Sequence, residues 1–185
     1  MSAERLRPEP AWADRSGLID LSGESVVAPP LVYQQVVDRI HRYCWGFDER
    51  RKDVLGDCFT DDAIWTANVM GETVVGPFEG REAVLVWLTR YWDEQRDQRR
   101  HVITNIVVSR VADDEATVLA YVLLLGSSEA ASRLETVGLY QLGCRRENDR
   151  WRIARLTAGF DSPFWKHEVT EMSPSRRRLF GILED

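Results

Sequence analysis

The sequence predicts an α+β fold in which three helices come first and pack on one face of a large, strongly curved, mainly antiparallel sheet. Three observations lead there. Apolar residues recur at helical spacing over 31–47 and again over 81–95. From His101 onward the period switches to two and is sustained to the region of Phe160. Turn-forming clusters interrupt that second half at Ala112-Asp113-Asp114, Gly126-Ser127-Ser128 and Asn148-Asp149. Helices followed by a regular meander are the α+β order, not a βαβ alternation.

Residues 1–29 mix charge, Pro and Ser with isolated apolar residues such as Trp12, Leu18, Ile19 and Leu21, and keep no period. They read as an N-terminal extension that drapes over the domain or over a partner subunit. The domain proper is expected over 30–161. Pro29-Pro30 starts a helix over 31–47, amphipathic through Tyr33, Val36/Val37, Ile40, Cys44 and Phe47, with Asp48 one position beyond. A second short helix, 51–59, buries Val54, Leu55, Cys58 and Phe59. Thr60-Asp61-Asp62 turns into a strand in which Ala63, Trp65, Ala67 and Val69 alternate with Ile64, Thr66, Asn68 and Met70. Gly71 ends that strand, and Thr73 to Phe78 returns as a hairpin.

After Gly80 a third helix, 81–95, carries the stripe Ala83/Val84, Trp87/Leu88 and Tyr91/Trp92, and the polar run Asp93 to Arg100 forms a loop. Strands follow over 101–111, 115–126, 134–146 and 151–160. The tail, 162–185, holds a short final helix over 176–183 behind Ser173-Pro174.

Composition excludes several classes of function. With 44% apolar and 29% charged residues, the 185-residue chain suits one globular domain with tails. A net charge of -6 argues against nucleic-acid binding, which needs a basic face. No stretch is apolar for long enough to span a membrane, and no apolar leader opens the chain. The three cysteines, Cys44, Cys58 and Cys144, sit singly in apolar segments without CxxC spacing. They read as reduced core residues, which favours a cytoplasmic protein and gives no zinc site. No metal-binding or nucleotide-binding pattern occurs, so neither metal nor cofactor is expected.

A sheet of this length curls, and helices closing its concave side leave a conical pocket. Inward-pointing candidates to line it are Trp65, Tyr91 or Trp92, and His101 with Asn105 on one strand face. Tyr43, Tyr121, Thr136 or Tyr140, and Phe160 complete the set. The chemistry is expected at Asp48 and His101. An Asp bonded to one imidazole nitrogen fixes the tautomer and supports the imidazolium, leaving the other nitrogen as a base near neutral pH.

Five segments resemble, in order and spacing, the SnoaL-like branch of the NTF2-like superfamily. They are Gly46-Phe47-Asp48-Glu49-Arg50, Phe59-Thr60-Asp61-Asp62-Ala63-Ile64-Trp65, Gly76-Pro77-Phe78-Glu79-Gly80-Arg81-Glu82-Ala83, His101-Val102-Ile103-Thr104-Asn105 and Asn148-Asp149-Arg150-Trp151-Arg152-Ile153. The pattern is nearest to the scytalone dehydratase and hexachlorocyclohexane dehydrochlorinase type, over about residues 31 to 160. The resemblance implies an NTF2-like cone of three helices on a bent mixed sheet, homodimers or homotrimers, and no metal or organic cofactor. It implies that the residue matching Asp48 orients the one matching His101, which is the base, and that Trp65 is a pocket wall. Two departures stand out. The dehydratase's second active-site His has no match on Leu134 to Tyr140, and Arg145 or Arg146 only loosely matches the dehydrochlorinase's basic residue.

The sequence therefore points to a cofactor-independent lyase or isomerase of dehydratase or cyclase type. Its substrate would be small and apolar, aromatic or polyketide-like. The rival expectation is a non-catalytic ligand-binding or assembly subunit, resembling the small subunit of ring-hydroxylating dioxygenases. A third, hydrolysis by an Asp-Arg-Asp water-activating set as in epoxide-opening members, cannot be assembled from the residues alone.

Overall fold

The computed structural model describes residues 12–19, 27–69, 73–129 and 131–162. Pro29, with φ −52° and ψ 136°, and Pro30 just inside the helix set the start of α2 (Pro30–Asp48). Val36, Ile40, Tyr43, Cys44 and Asp48 repeat every three to four residues on its buried side. Tyr33, expected on that face, is 42% exposed, because the buried stripe continues from Val36 to Val32, which packs against the core, and Tyr33 points off it. α3 (Lys52–Asp57) follows. It lies so close to α2 that a Cβ on Gly46 would stand 2.8 Å from the Leu55 nitrogen.

α4 (Arg81–Thr89) is shorter than the stripe over 81–95 suggests, since residues 90–94 pass into turns. Tyr91 and Trp92 are therefore carried by a connecting segment. The predicted extension contributes one element more, α1 (Trp12–Arg15).

Six strands form one sheet: β1 (Phe59–Val69), β2 (Thr73–Glu79), β3 (Gln98–Val111), β4 (Glu115–Ser127), β5 (Ser132–Glu147) and β6 (Arg150–Phe160). Their order is β2-β1-β6-β5-β4-β3. The hairpin and the meander are both present. They are joined by one parallel pairing, β1 against β6, with Trp65 beside Leu156 and Ala67 beside Ala158. Register shifts between Thr104 and Val107, between Leu124 and Leu125, and between Trp65 and Ala67 bend the sheet.

Alternation along β3 to β6 sorts residues onto two faces. Ala120, Tyr140 and Ala158 stand in one row on the concave face, while Tyr121, Leu139 and Gly159 stand in the next row on the other. The concave face packs on α2, α3 and α4 through Ile40, Leu55, Val84, Val122, Leu142 and Leu156. Full burial of each such side chain contributes about 1.5–3 kcal/mol. The convex face is partly covered by the chain's own residues 12–19. Ala13 and Leu18 pack on Leu139, Gln141 Nε2 donates to the Leu18 carbonyl at 2.8 Å, and Trp12 Nε1 donates to Asp161 at 2.7 Å. All three cysteines are buried and free. The Gly71 turn and the helix expected over 176–183 lie outside the described residues.

Candidate active site

Asp48 is the last residue of α2, where the helix macrodipole disfavours a negative charge. Its carboxylate is nonetheless buried, 6% exposed, and both of its oxygens reach His101 on β3. Oδ1 lies 2.6 Å from His101 Nδ1, and Oδ2 accepts from the His101 backbone N–H at 2.8 Å. A carboxylate only accepts, so the neutral imidazole carries its proton on Nδ1 and keeps a lone pair on Nε2.

Neighbouring residues sew these two elements together. Gln98 Nε2 donates to the Asp48 carbonyl at 2.7 Å, and Arg100 pairs with Glu49 at 2.8 Å. Arg50, at φ 53°, turns its guanidinium back onto the carbonyls of Trp92 (3.2 Å), Gln95 (3.0 Å) and Asp97 (3.3 Å). Three consecutive residues, Asp48, Glu49 and Arg50, thus each hold a different point of the 92–101 segment.

The imidazole sits among aromatic rings. Phe47 lies 5.1 Å from it, Tyr43 6.0 Å and Tyr140 6.3 Å between centroids, and Trp92 meets Phe47 edge-on at 6.0 Å. Trp65 is buried beside Trp87 and Phe78. Burial pushes the Tyr43 phenol far up, with Cys44 acting in the same direction, while Tyr140 and Trp65 offset part of the rise. Burial, then Tyr43, likewise drives Tyr140 well above the ordinary tyrosine value. Both phenols remain neutral donors. The indole nitrogens of Trp65 and Trp92 are buried without a hydrogen bond of normal geometry among the described residues.

Not every expected residue joins this group. Tyr121 is 55% exposed on the convex face, because its register partner is Leu139 and not Tyr140. Asn105 falls in the bulge between Thr104 and Val107, at φ 50°, and is exposed, so the alternation that would have set it beside His101 is broken. Phe160 is buried in the main core, and Thr136 is buried with its hydroxyl directed to the Ser162 carbonyl. Arg145 pairs with Asp62 and Glu147, and Arg146 with Asp114, at or near the surface.

The sequence reading missed a buried ionic cluster two residues from His101. Arg99 Nε meets Asp97 at 3.0 Å, and its Nη1 lies 3.5 Å from Glu135, which is fully enclosed. Arg133 closes the set on Glu135 at 2.6 Å and on Asp97 at 3.3 Å. Charges with alternating strand period around His101 were the available signal. Two carboxylates and two guanidiniums here compensate one another, as buried charges must.

A family model described as a SnoaL-like domain matches residues 31–157. Solved structures similar to the chain include the beta subunit of a putative aromatic-ring-hydroxylating dioxygenase from Novosphingobium aromaticivorans. That likeness is 15% identical over 71% of this chain and 90% of the other, with a TM-score of 0.63. A Catenulispora acidiphila protein in complex with S-DNPA is 22% identical over 77% of this chain and 100% of its own, with a TM-score of 0.62. Rv3472, a protein of unknown function from Mycobacterium tuberculosis, is 21% identical over 72% and 76%, with a TM-score of 0.60. At these identities the likeness is one of fold. No curated protein matches the chain. Among the described residues no helix is long and apolar enough to cross a membrane.

Proposed function

From the premise that the chain belongs to the SnoaL-like domain family, we propose that it is a cofactor-independent lyase or isomerase in which His101 is the base. The family includes cofactor-independent cyclases and isomerases. The observation that carries the proposal is the double hold of Asp48 on His101, at Nδ1 and at the backbone N–H. An aspartate at a helix C-terminus gains nothing from the helix, so its burial there is explained by what it does to the imidazole.

In the proposed reaction His101 Nε2 takes a proton from a carbon beside a carbonyl. The electron pair of the C–H bond moves to the carbonyl oxygen, and a neutral donor, Tyr43, Tyr140 or the Trp65 indole, stabilises the developing enolate. The imidazolium, supported by Asp48, returns the proton to another carbon in an isomerisation or to a leaving hydroxyl in a dehydration; in a cyclisation the enolate carbon attacks a second carbonyl, whose π pair moves to its oxygen, and that oxygen takes the proton from the imidazolium. The substrate is small and apolar, aromatic or polyketide-like, to match the rings around His101. A homodimer or homotrimer in the cytoplasm completes the proposal.

The rival assembly-subunit reading has fold likeness to the dioxygenase beta subunit in its favour. It gives the Asp48–His101 pair no task. The test is exchange in heavy water of enolisable protons in a panel of aromatic ketones, followed by NMR. Exchange catalysed by the wild-type chain and abolished in His101→Gln is expected. Equal exchange by both proteins removes His101 as the base.

A further inference from the structure

The convex face of the sheet is covered on one side only. Two neighbouring rows cross it, Val102 beside Leu123 beside Val137 and Thr104 beside Tyr121 beside Leu139, and none of these residues carries a charge, in a chain with 29% charged residues. Residues 12–19 pack on Leu139 and approach Gly159. They leave Val102, Val107 and Tyr121 open, at 38%, 45% and 55% exposure. An uncharged sheet face with its largest side chain in water marks a surface that another piece of protein covers.

The chain leaves the domain at the rim of this face. The Asp161 N–H donates to the Val137 carbonyl at 2.9 Å, the Ser162 carbonyl accepts from the Thr136 hydroxyl at 3.2 Å, and Trp12, on the convex side, donates to the Asp161 side chain at 2.7 Å. From Val137, Leu123 is one strand spacing away, about 4.8 Å. Phe164, two residues past Ser162, has a reach of about 7 Å. Residues 163–185 carry Phe164-Trp165 and Leu179-Phe180-Gly181-Ile182-Leu183, apolar groups that gain by leaving water. The open area is two strands wide and three rows long, roughly 10 by 20 Å. That is well short of the roughly 800 Å² that each partner of a stable dimer contributes. It suits a single segment of chain, and the adjoining area is already covered by one, residues 12–19.

We propose that residues 163–185 return over the convex face and cover Val102, Tyr121 and Leu123, with Phe164 and Trp165 as the anchor nearest the exit. The inference goes beyond the reaction proposed at His101 and is independent of it, since Val102 and His101 are successive strand residues and point to opposite faces. Both ends of the chain then meet on the outer side of the sheet, Trp12 and Asp161 being where they touch, and the concave side is left to the ligand.

Two measurements on the full-length chain test this. In the first, Tyr121→p-benzoylphenylalanine is irradiated in an equal mixture of unlabelled and nitrogen-15-labelled chains, and the joined peptides are read by mass spectrometry. Cross-links from position 121 to peptides of residues 163–185, with both halves carrying the same label, are expected. Mixed-label pairs give the face to a second copy, and cross-links to residues 1–11 or 20–26 give it to another segment; either overturns the proposal, as does the absence of any link to 163–185.

The second measurement is limited trypsin cleavage after Lys166 and Arg176. Tyr121→Glu sets a charge under the covering segment while altering a side chain that faces away from the core, so cleavage at both sites is expected to quicken roughly tenfold, to the same extent at every protein concentration. Equal cleavage of the variant and the wild-type chain overturns the proposal. So does wild-type protection that grows with protein concentration, the sign of a second copy.

Discussion

Asp48 grips His101 at two atoms, the ring Nδ1 at 2.6 Å and the main-chain N–H at 2.8 Å. The second bond ties the β3 backbone, at the strand's fourth residue, to the end of α2, and the first fixes which ring nitrogen is free. Asp48→Asn can keep the main-chain bond through its amide oxygen, but its NH2 would face Nδ1 and favour the tautomer protonated on Nε2. We expect the variant to fold and to lose stability by no more than about 2 kcal/mol. Its turnover should fall by about a hundred- to ten-thousandfold. Urea unfolding and the heavy-water exchange rate check the two halves, and Asp48→Asn added to His101→Gln should cost little more than His101→Gln alone. Wild-type exchange by Asp48→Asn removes Asp48 from the mechanism.

Arg50 supports a separate prediction about the segment after α4. Lysine has one ammonium and cannot span three carbonyls as a planar guanidinium does. In Arg50→Lys, amide hydrogen exchange over residues 90–97 should quicken by roughly ten- to a hundredfold, the loss of one or two charge-assisted bonds, while the His101 amide stays protected by Asp48. Unchanged exchange over the segment would show that its own turns hold it.

The elements of this fold were legible because each rests on a local signal. The prolines before Leu31 set a helix start, and alternation over 115–126 and 151–160 marked strands whose buried side is regular. Asp48 and His101 could be named as candidates from their chemistry but paired only through the resemblance, since nothing in their spacing joins the end of a helix to a strand residue 53 positions later. The failures have physical causes. Tyr121 was placed inside because alternation tells that two residues differ in face, not which face is covered, and here residues 12–19 cover part of the convex side. Asn105 was lost to a bulge, which shifts Val107 and Val108 by one place, and a second irregularity before Arg110 shifts the strand again. Trp92 was assigned to a helix whose apolar stripe outlasts its hydrogen bonds. The parallel pairing of β1 with β6 leaves no mark on either strand.

The buried phenols give a pH dependence with a definite sign. Tyr43 and Tyr140 have folded-state values raised, in both cases chiefly by burial. A group raised in this way contributes stability that is fully present below its unfolded value, about pH 10 for tyrosine, and is lost as pH climbs from there toward the folded value. The wild-type chain should therefore lose stability between about pH 9 and pH 11 more steeply than Tyr43→Phe, which has no phenol to ionise at that site. Urea midpoints at the two pH values measure the difference. Parallel slopes would mean that the Tyr43 hydroxyl reaches water in the native state.

Two glycines on neighbouring strands should respond to alanine in opposite ways. A Cβ on Gly138 would overlap the Gly159 carbonyl oxygen, so β5 and β6 would have to part in the middle of the sheet. A Cβ on Gly159 would instead meet Leu18 and, at 2.8 Å, the Trp12 ring, both from the segment lying over the convex face. Gly138→Ala is expected to cost about 3 kcal/mol or more, through backbone that cannot yield. Gly159→Ala should cost only about 1 kcal/mol, by lifting residues 12–19 off Leu139 while the sheet stays whole. Limited proteolysis separates the cases, because the lifted segment becomes cleavable near Ser16 at conditions where the strands do not. Equal losses of stability, with the segment still protected in Gly159→Ala, would mean that residues 12–19 are as integral to the domain as the strands beneath them.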